Sequence, residues 1–119
     1  MNGKITDRTI SDFITSLYAV QAEKYGGETT LNELRVIAHC YRAHAYKERV
    51  SVSLLAKSLN IPMSTVHRAV TNLIAKGWIS DHKDPSDGRK RVIELTSRAL
   101  ETNLWETGAK WIEKYSEVE

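Results

Sequence analysis

The chain has 119 residues, of which 41% are hydrophobic and 27% charged, with 17 basic against 15 acidic side chains and a formal net charge of +2. That length predicts a single domain spanning 1–119, and the apolar content excludes a disordered chain. No apolar run approaches the roughly 18 residues that a membrane span needs, and the lone Cys40 excludes an internal disulfide.

The first predicted helix covers 7–25, where Ile10, Phe13, Ile14, Leu17 and Tyr18 recur at helical spacing until Gly26-Gly27 stops it. A second runs over 30–44, opened by a Thr30/Glu33 capping box and carrying Leu31, Leu34, Ile37, Ala38 and Tyr41 on one side. Val50 and Val52 flank Ser51 in an alternation long enough for a brief strand, after which Ser53 is the expected N-cap of a short helix over 54–59. Asn60-Ile61 breaks the chain, Pro62 suits a first helical turn, and a fourth helix over 62–76 ends at Gly77. Residues 78–83 and 89–95 alternate as two strands joined by the DPSDG turn, and Thr96 caps a last helix over 97–115. The expected fold is mainly α with a small β-hairpin, in the order α-α-β-α-α-β-β-α: a winged helix-turn-helix.

Charge is concentrated where that motif lies. Residues 47–91 hold nine basic and four acidic groups, whereas 1–46 hold five of each and 92–119 hold three basic and six acidic. A basic centre between neutral and acidic flanks is the footprint of a segment that meets phosphate. On the fourth helix Val66, Ala69, Val70 and Leu73 share one side and belong to the core. At roughly 100° per residue the opposite side carries Ser64, Arg68, Thr71 and Ala75, with Thr65, His67 and Asn72 on its flanks. A major groove about 12 Å wide admits such a helix, and Arg68 can bond both acceptors of a guanine edge. Ser64 and Thr65, near the helix start, suit a phosphate or a base edge, and Ser53 offers a further hydroxyl to the backbone. The hairpin tip ends in Gly88-Arg89-Lys90-Arg91. An arginine there can enter a narrow minor groove while Lys90 and Arg91 neutralise phosphates, and Asp87 can hold Arg89 by a charge-assisted bond. The plain alternative for each residue taken singly is solvated surface.

The stretch VSVSLLAKSLNIPMSTVHRAVTNLIAKGWI followed by DPSDGRKRVIELT resembles the MarR family of transcriptional regulators, whose wing carries an Asp-x-Arg element, here Asp87 and Arg89, and closes in Leu-Thr, here Leu95-Thr96. Gly88 stands where that family often has a further basic residue. The resemblance implies a homodimer whose terminal helices interlock, two recognition helices in successive major grooves, wing arginines in the minor groove, and a small-molecule effector as a further partner. The stripes on the first and last helices, Ile10, Phe13, Ile14, Leu17 and Tyr18 with Leu104, Trp111 and Tyr115, are the expected dimer interface and 30–96 the DNA-binding lobe, with an ordinary intramolecular core as the alternative.

The expected function is sequence-specific binding of double-stranded DNA that regulates transcription, as a repressor, by a cytoplasmic protein whose N-terminal MNGKITDRTISDF lacks the apolar stretch of a secretory signal. The alternative is a winged-helix interaction module, or one serving plasmid or phage replication or assembly. His39, His44, His67 and His82 do not gather with carboxylates or Cys40 at metal spacing, and there is no phosphate loop or nucleophile motif. No catalytic residue, metal or cofactor is therefore expected.

Overall fold

The computed structural model describes residues 6–101 together with 110, 112 and 113. The chain divides into two compact units, one of residues 1–29 and 102–119 and the other of residues 30–101. In the first, α1 (Asp7–Tyr25) begins where Thr6 Oγ1 accepts the Thr9 N–H at 3.1 Å, satisfying one of the first-turn donors that a helix cannot pair internally. It ends at Gly26, whose φ of +90° is open to glycine and whose N–H returns to the Ala22 carbonyl at 2.9 Å. Both boundaries are those expected from the sequence. Leu104, Trp111 and Tyr115, with most of the helix expected over 97–115, lie outside the described residues.

The second unit contains α2 (Leu31–Tyr46), α3 (Val52–Leu59), α4 (Met63–Ala75), β1 (Ile79–Asp84), β2 (Asp87–Leu95) and α5 (Ser97–Leu100). α4 packs on both α2 and α3. Val36 and Ile37 of α2, Leu55 of α3 and Val66 and Leu73 of α4 are almost wholly buried. Each large aliphatic side chain so buried stabilises the fold by roughly 1.5–3 kcal/mol, which sets the helical packing. α2 runs two residues past its expected end because neither glycine nor proline interrupts it; Lys47 then turns left-handed, at φ 57°, to close it.

The brief strand expected at Val50–Val52 is reduced to one antiparallel bridge, Val50 to Ile93, with the Ile93 N–H donating to the Val50 carbonyl at 2.8 Å. The reason lies one residue on. Ser51, not Ser53, is the N-cap of α3, its Oγ accepting the Leu54 N–H at 3.2 Å, so the chain becomes helical at Val52 and the alternation ends. The break between α3 and α4 is made by Asn60, left-handed at φ 55°, a conformation asparagine tolerates better than most residues. The Ile61 N–H returns to Ala56 O at 3.2 Å, and Arg35 Nη2 reaches across from α2 to the Leu59 carbonyl at 2.6 Å.

β1 and β2 pair antiparallel from Ile79 with Leu95 to Lys83 with Arg91, and a bulge then brings Asp84 opposite Asp87. The turn is shorter than DPSDG, because the Asp84 carboxylate accepts both the backbone N–H (2.8 Å) and the hydroxyl (2.7 Å) of Ser86 and leaves Asp87 free to pair. At the other end the Thr96 hydroxyl donates to Gly77 O at 2.6 Å while accepting the Ala99 N–H at 3.2 Å, so one side chain caps α5 and ties the hairpin to the end of α4. The Arg98 guanidinium stacks 4.0 Å from the Trp78 ring centroid and donates to the Lys76 carbonyl.

Candidate nucleic-acid interface

The 3.6-residue repeat of α4 sorts its side chains into two sides. Val66, Ala69, Val70 and Leu73 are buried, whereas Ser64, His67, Arg68, Thr71 and Asn72 are exposed and Thr65 is half-buried. Among the described residues the Arg68 guanidinium has no ion-pair partner, so both arms of its fork are open to a ligand. Pro62 precedes this helix in extended conformation, at φ −60° and ψ 146°. The first-turn donors that follow, with no side-chain cap over them, stand beside the Ser64 hydroxyl.

One flank of α4 is held by a buried carboxylate that sequence reading placed only in a helix cap. Glu33 is 2% exposed; its Oε1 accepts Lys76 Nζ at 2.7 Å, and its Oε2 accepts the Thr30 hydroxyl at 3.0 Å and Asn72 Nδ2 at 3.4 Å. Burial pushes the Glu33 pKa up, but the hydrogen bonds from Lys76, Thr30 and Asn72 and the charge of Lys76 outweigh it and hold the group below its ordinary 4.5. Asn72 is thereby drawn toward α2, and a cleft of about 130 Å³ between them is lined by Asn32, Thr65 and Arg68 among others. Lys76 and Asn72 lie 43 and 39 positions from Glu33, too far apart in the chain for spacing to reveal the contact.

The wing presents its cations unequally. The Arg89 side chain is 96% exposed; Asp87 Oδ1 accepts the Arg89 backbone N–H at 3.1 Å but stands 3.8 Å from the guanidinium. Asp87 therefore orders the backbone at Arg89 more firmly than the side chain it was expected to hold. Arg91 donates twice to Asp81 Oδ2, at 2.8 and 3.0 Å, an exposed pair that lies along the hairpin. Lys90 is exposed and lines a notch of about 190 Å³ with Arg49, Ser51, Asp84 and Arg91. Ser53 is also exposed, its hydroxyl 3.3 Å from that of Ser51.

Two residues of this notch were missed by the sequence. Arg49 Nη1 lies 2.7 Å from both carboxylate oxygens of Asp84, which is 8% exposed and anchors the base of the wing. The Ser86 hydroxyl and backbone N–H, followed by Arg49, bring the Asp84 pKa down to about 2 against the opposing effect of burial. The carboxylate thus stays ionised, and the anchor closed, at any pH near neutrality. Asp-Pro-Ser signalled the turn, but nothing in the spacing signalled Arg49, 35 positions away.

Cys40 is buried, which pushes its thiol up to about 12 and leaves it an unionised core residue, in keeping with the packing role its place beside Ile37 and Tyr41 implies. Among the described residues no group of three or more His, Cys, Asp or Glu could hold a metal ion, and no helix is long and apolar enough to cross a membrane. Along α1, Ile10, Phe13, Ile14 and Tyr18 are exposed and Leu17 half-buried, as one stripe. Within the second unit a cleft of about 490 Å³ is bounded by Ala43 and His44 of α2, Arg49 and Val50, and Ile93 to Leu95 of β2.

A helix-turn-helix whose second helix carries an open polar face, followed at once by a basic hairpin, defines a winged-helix DNA-binding regulator. The chain belongs to the MarR family, whose model matches residues 29–90, just over half its length. Members of this family regulate transcription and are not enzymes. No curated protein matches the chain by sequence. Solved structures match its fold: an S. aureus MepR–DNA complex at 21% identity and TM-score 0.69, over 92% of this chain and 84% of that one. S. aureus MepR in its DNA-binding conformation matches at 21% identity and TM-score 0.63, over 92% and 76%. The adhesin competence repressor AdcR of Streptococcus pyogenes matches at 21% identity and TM-score 0.55, over 94% and 75%.

Proposed function

We propose that this MarR-family chain is a homodimeric, sequence-specific repressor that sets α4 in the major groove and the wing tip in the adjacent minor groove. The observation that carries the reading is the open face of α4, with Arg68 at its centre and without an ion-pair partner among the described residues, and Arg89 almost fully exposed on the wing that follows. Arg68 then reads a guanine edge, Ser64, His67 and Thr71 border it, and Thr65 and Asn72 lie on the flank next to Glu33. Lys90 and Ser53 meet phosphate, Arg91 does so once exchanged from Asp81, and Asp87 orders the tip. A complex of the related MepR with DNA supports the same use of the fold.

The homodimer reading rests on the α1 stripe, where Ile10, Ile14 and Tyr18 are each 45% exposed or more. Apolar residues at this spacing on one helix suit an isologous contact with a second copy. A dimer also supplies two recognition helices to a near-palindromic site, and bound across a promoter it excludes polymerase, which makes repression the expected outcome. The 490 Å³ cleft has the size of a small-molecule site and is where an effector would act.

Titration of labelled duplex tests the DNA reading. Arg68→Ala is expected to lose about 1–3 kcal/mol, or about 5- to 150-fold, on the preferred site and to relax preference at one base position. Lys90→Ala is expected to weaken all sequences alike. An Arg68→Ala protein with unchanged affinity and preference would show that α4 is not the reading helix and would favour a protein-assembly role.

A further inference from the structure

We propose that Met63 is a specificity residue that selects thymine through its 5-methyl group, an inference that rests on the DNA-binding reading above. Met63 is the first residue of α4 and is 49% exposed, although methionine ordinarily fills a core. Its place makes it more than a stray apolar residue. At roughly 100° per residue, Met63 falls on the same flank as His67 and Thr71, both exposed, and this flank adjoins Ser64. The opposite flank carries Asn72 and Lys76, which Glu33 holds against α2. That buried contact holds the Asn72 flank to α2, and Met63 stands at the other margin of the outward polar face, about 40° round the axis from exposed His67 and about 140° from Arg68.

In helix-turn-helix complexes the N-terminal residues of the second helix come nearest the base edges. A methionine there has no hydrogen bond to offer a base, and the one apolar group in the major groove is the thymine 5-methyl. Its unbranched, polarizable side chain can reach and adapt to such a group. α4 then reads two chemistries from separate places, with Arg68 on guanine acceptors at the centre of its outer face and Met63 on a methyl at the N-terminal margin of that face.

The test uses the full chain and a duplex selected for tight binding from random sequence. Each thymine is replaced in turn by deoxyuridine, which removes the methyl and leaves every hydrogen-bonding group in place. The expected result is one position per half-site at which the wild-type protein loses about fourfold in affinity, the worth of one buried methyl-sized group. Met63→Ala should lose a similar factor and become indifferent to deoxyuridine at that position, and Met63→Gln, which keeps the length of the side chain, should behave the same way. Arg68→Ala should retain the deoxyuridine response. The inference is overturned if the wild-type protein is indifferent at every thymine, if the half-sites hold no thymine, or if both Met63 variants keep the full response. Failure to enrich any duplex would overturn the DNA-binding reading and this inference together, whereas a tightly bound duplex without the methyl effect overturns this inference alone.

Discussion

Lys76→Met is expected to lower the unfolding free energy by about 3 kcal/mol at pH 7, because it leaves the Glu33 carboxylate buried without its counter-charge. Lys76 and Glu33 are 2.7 Å apart, and Glu33 is 2% exposed. The sign of the pH dependence follows from the direction of the shift. In the wild-type protein the folded pKa of Glu33 lies below its ordinary 4.5, so the stabilisation is present above that value and is lost as pH falls through the lowered one. Without Lys76, burial dominates and the folded pKa moves up, so the folded variant takes up a proton while the unfolded chain is still ionised. The deficit should therefore shrink between pH 7 and pH 5, a trend opposite to that of the wild type. Urea denaturation at the two pH values measures it; a deficit near zero at pH 7, or one unchanged at pH 5, would mean that the pair does not hold α4.

The second large effect is on DNA. Raising salt from about 50 to 200 mM should reduce affinity by roughly 10³-fold or more for a dimer contacting about six phosphates or more, whereas a protomer making about three contacts would lose only about fortyfold. The structure says which cations are available. Of the nine basic groups from 47 to 91, Arg49, Lys76 and Arg91 are paired with Asp84, Glu33 and Asp81, while Lys47, Lys57, Arg68, Lys83, Arg89 and Lys90 are exposed. Of these, Arg68 on α4 and Arg89 and Lys90 at the wing tip are the ones the DNA-binding reading uses, so one protomer makes about three such contacts and two make about six. Affinity indifferent to salt would point to a protein partner in place of DNA.

The parts of the fold legible in the sequence are those marked by residues with a single conformational use. Gly26 and Gly77, at positive φ, end α1 and α4, Pro62 marks the start of α4, though as the extended residue before it and not in its first turn as expected, and Thr30 and Thr96 cap their helices with their hydroxyls. The buried and exposed sides of α4 followed from its 3.6-residue period alone. Less legible were choices that packing decides. Ser51 and Ser53 are equivalent as caps until burial of Val50 against Ile93 selects the first, and Lys47 takes a left-handed turn that nothing in its side chain announces. The side-chain pairs of the site were invisible for a different reason. Glu33 with Lys76, Arg49 with Asp84 and Arg91 with Asp81 each join distant parts of the chain, and such pairs become visible only when the hairpin and helices are assembled.

Selection of bound fragments from random duplex DNA tests most directly whether α4 and the wing address one duplex as a symmetric pair. The expected product is a near-palindrome with half-sites about 10 base pairs apart, centre to centre, or a multiple of that. A guanine should stand under Arg68 and an A·T-rich step where the wing arginine enters the minor groove. A pool no richer in any sequence after selection than before, or one enriched only in isolated half-sites, would contradict this account.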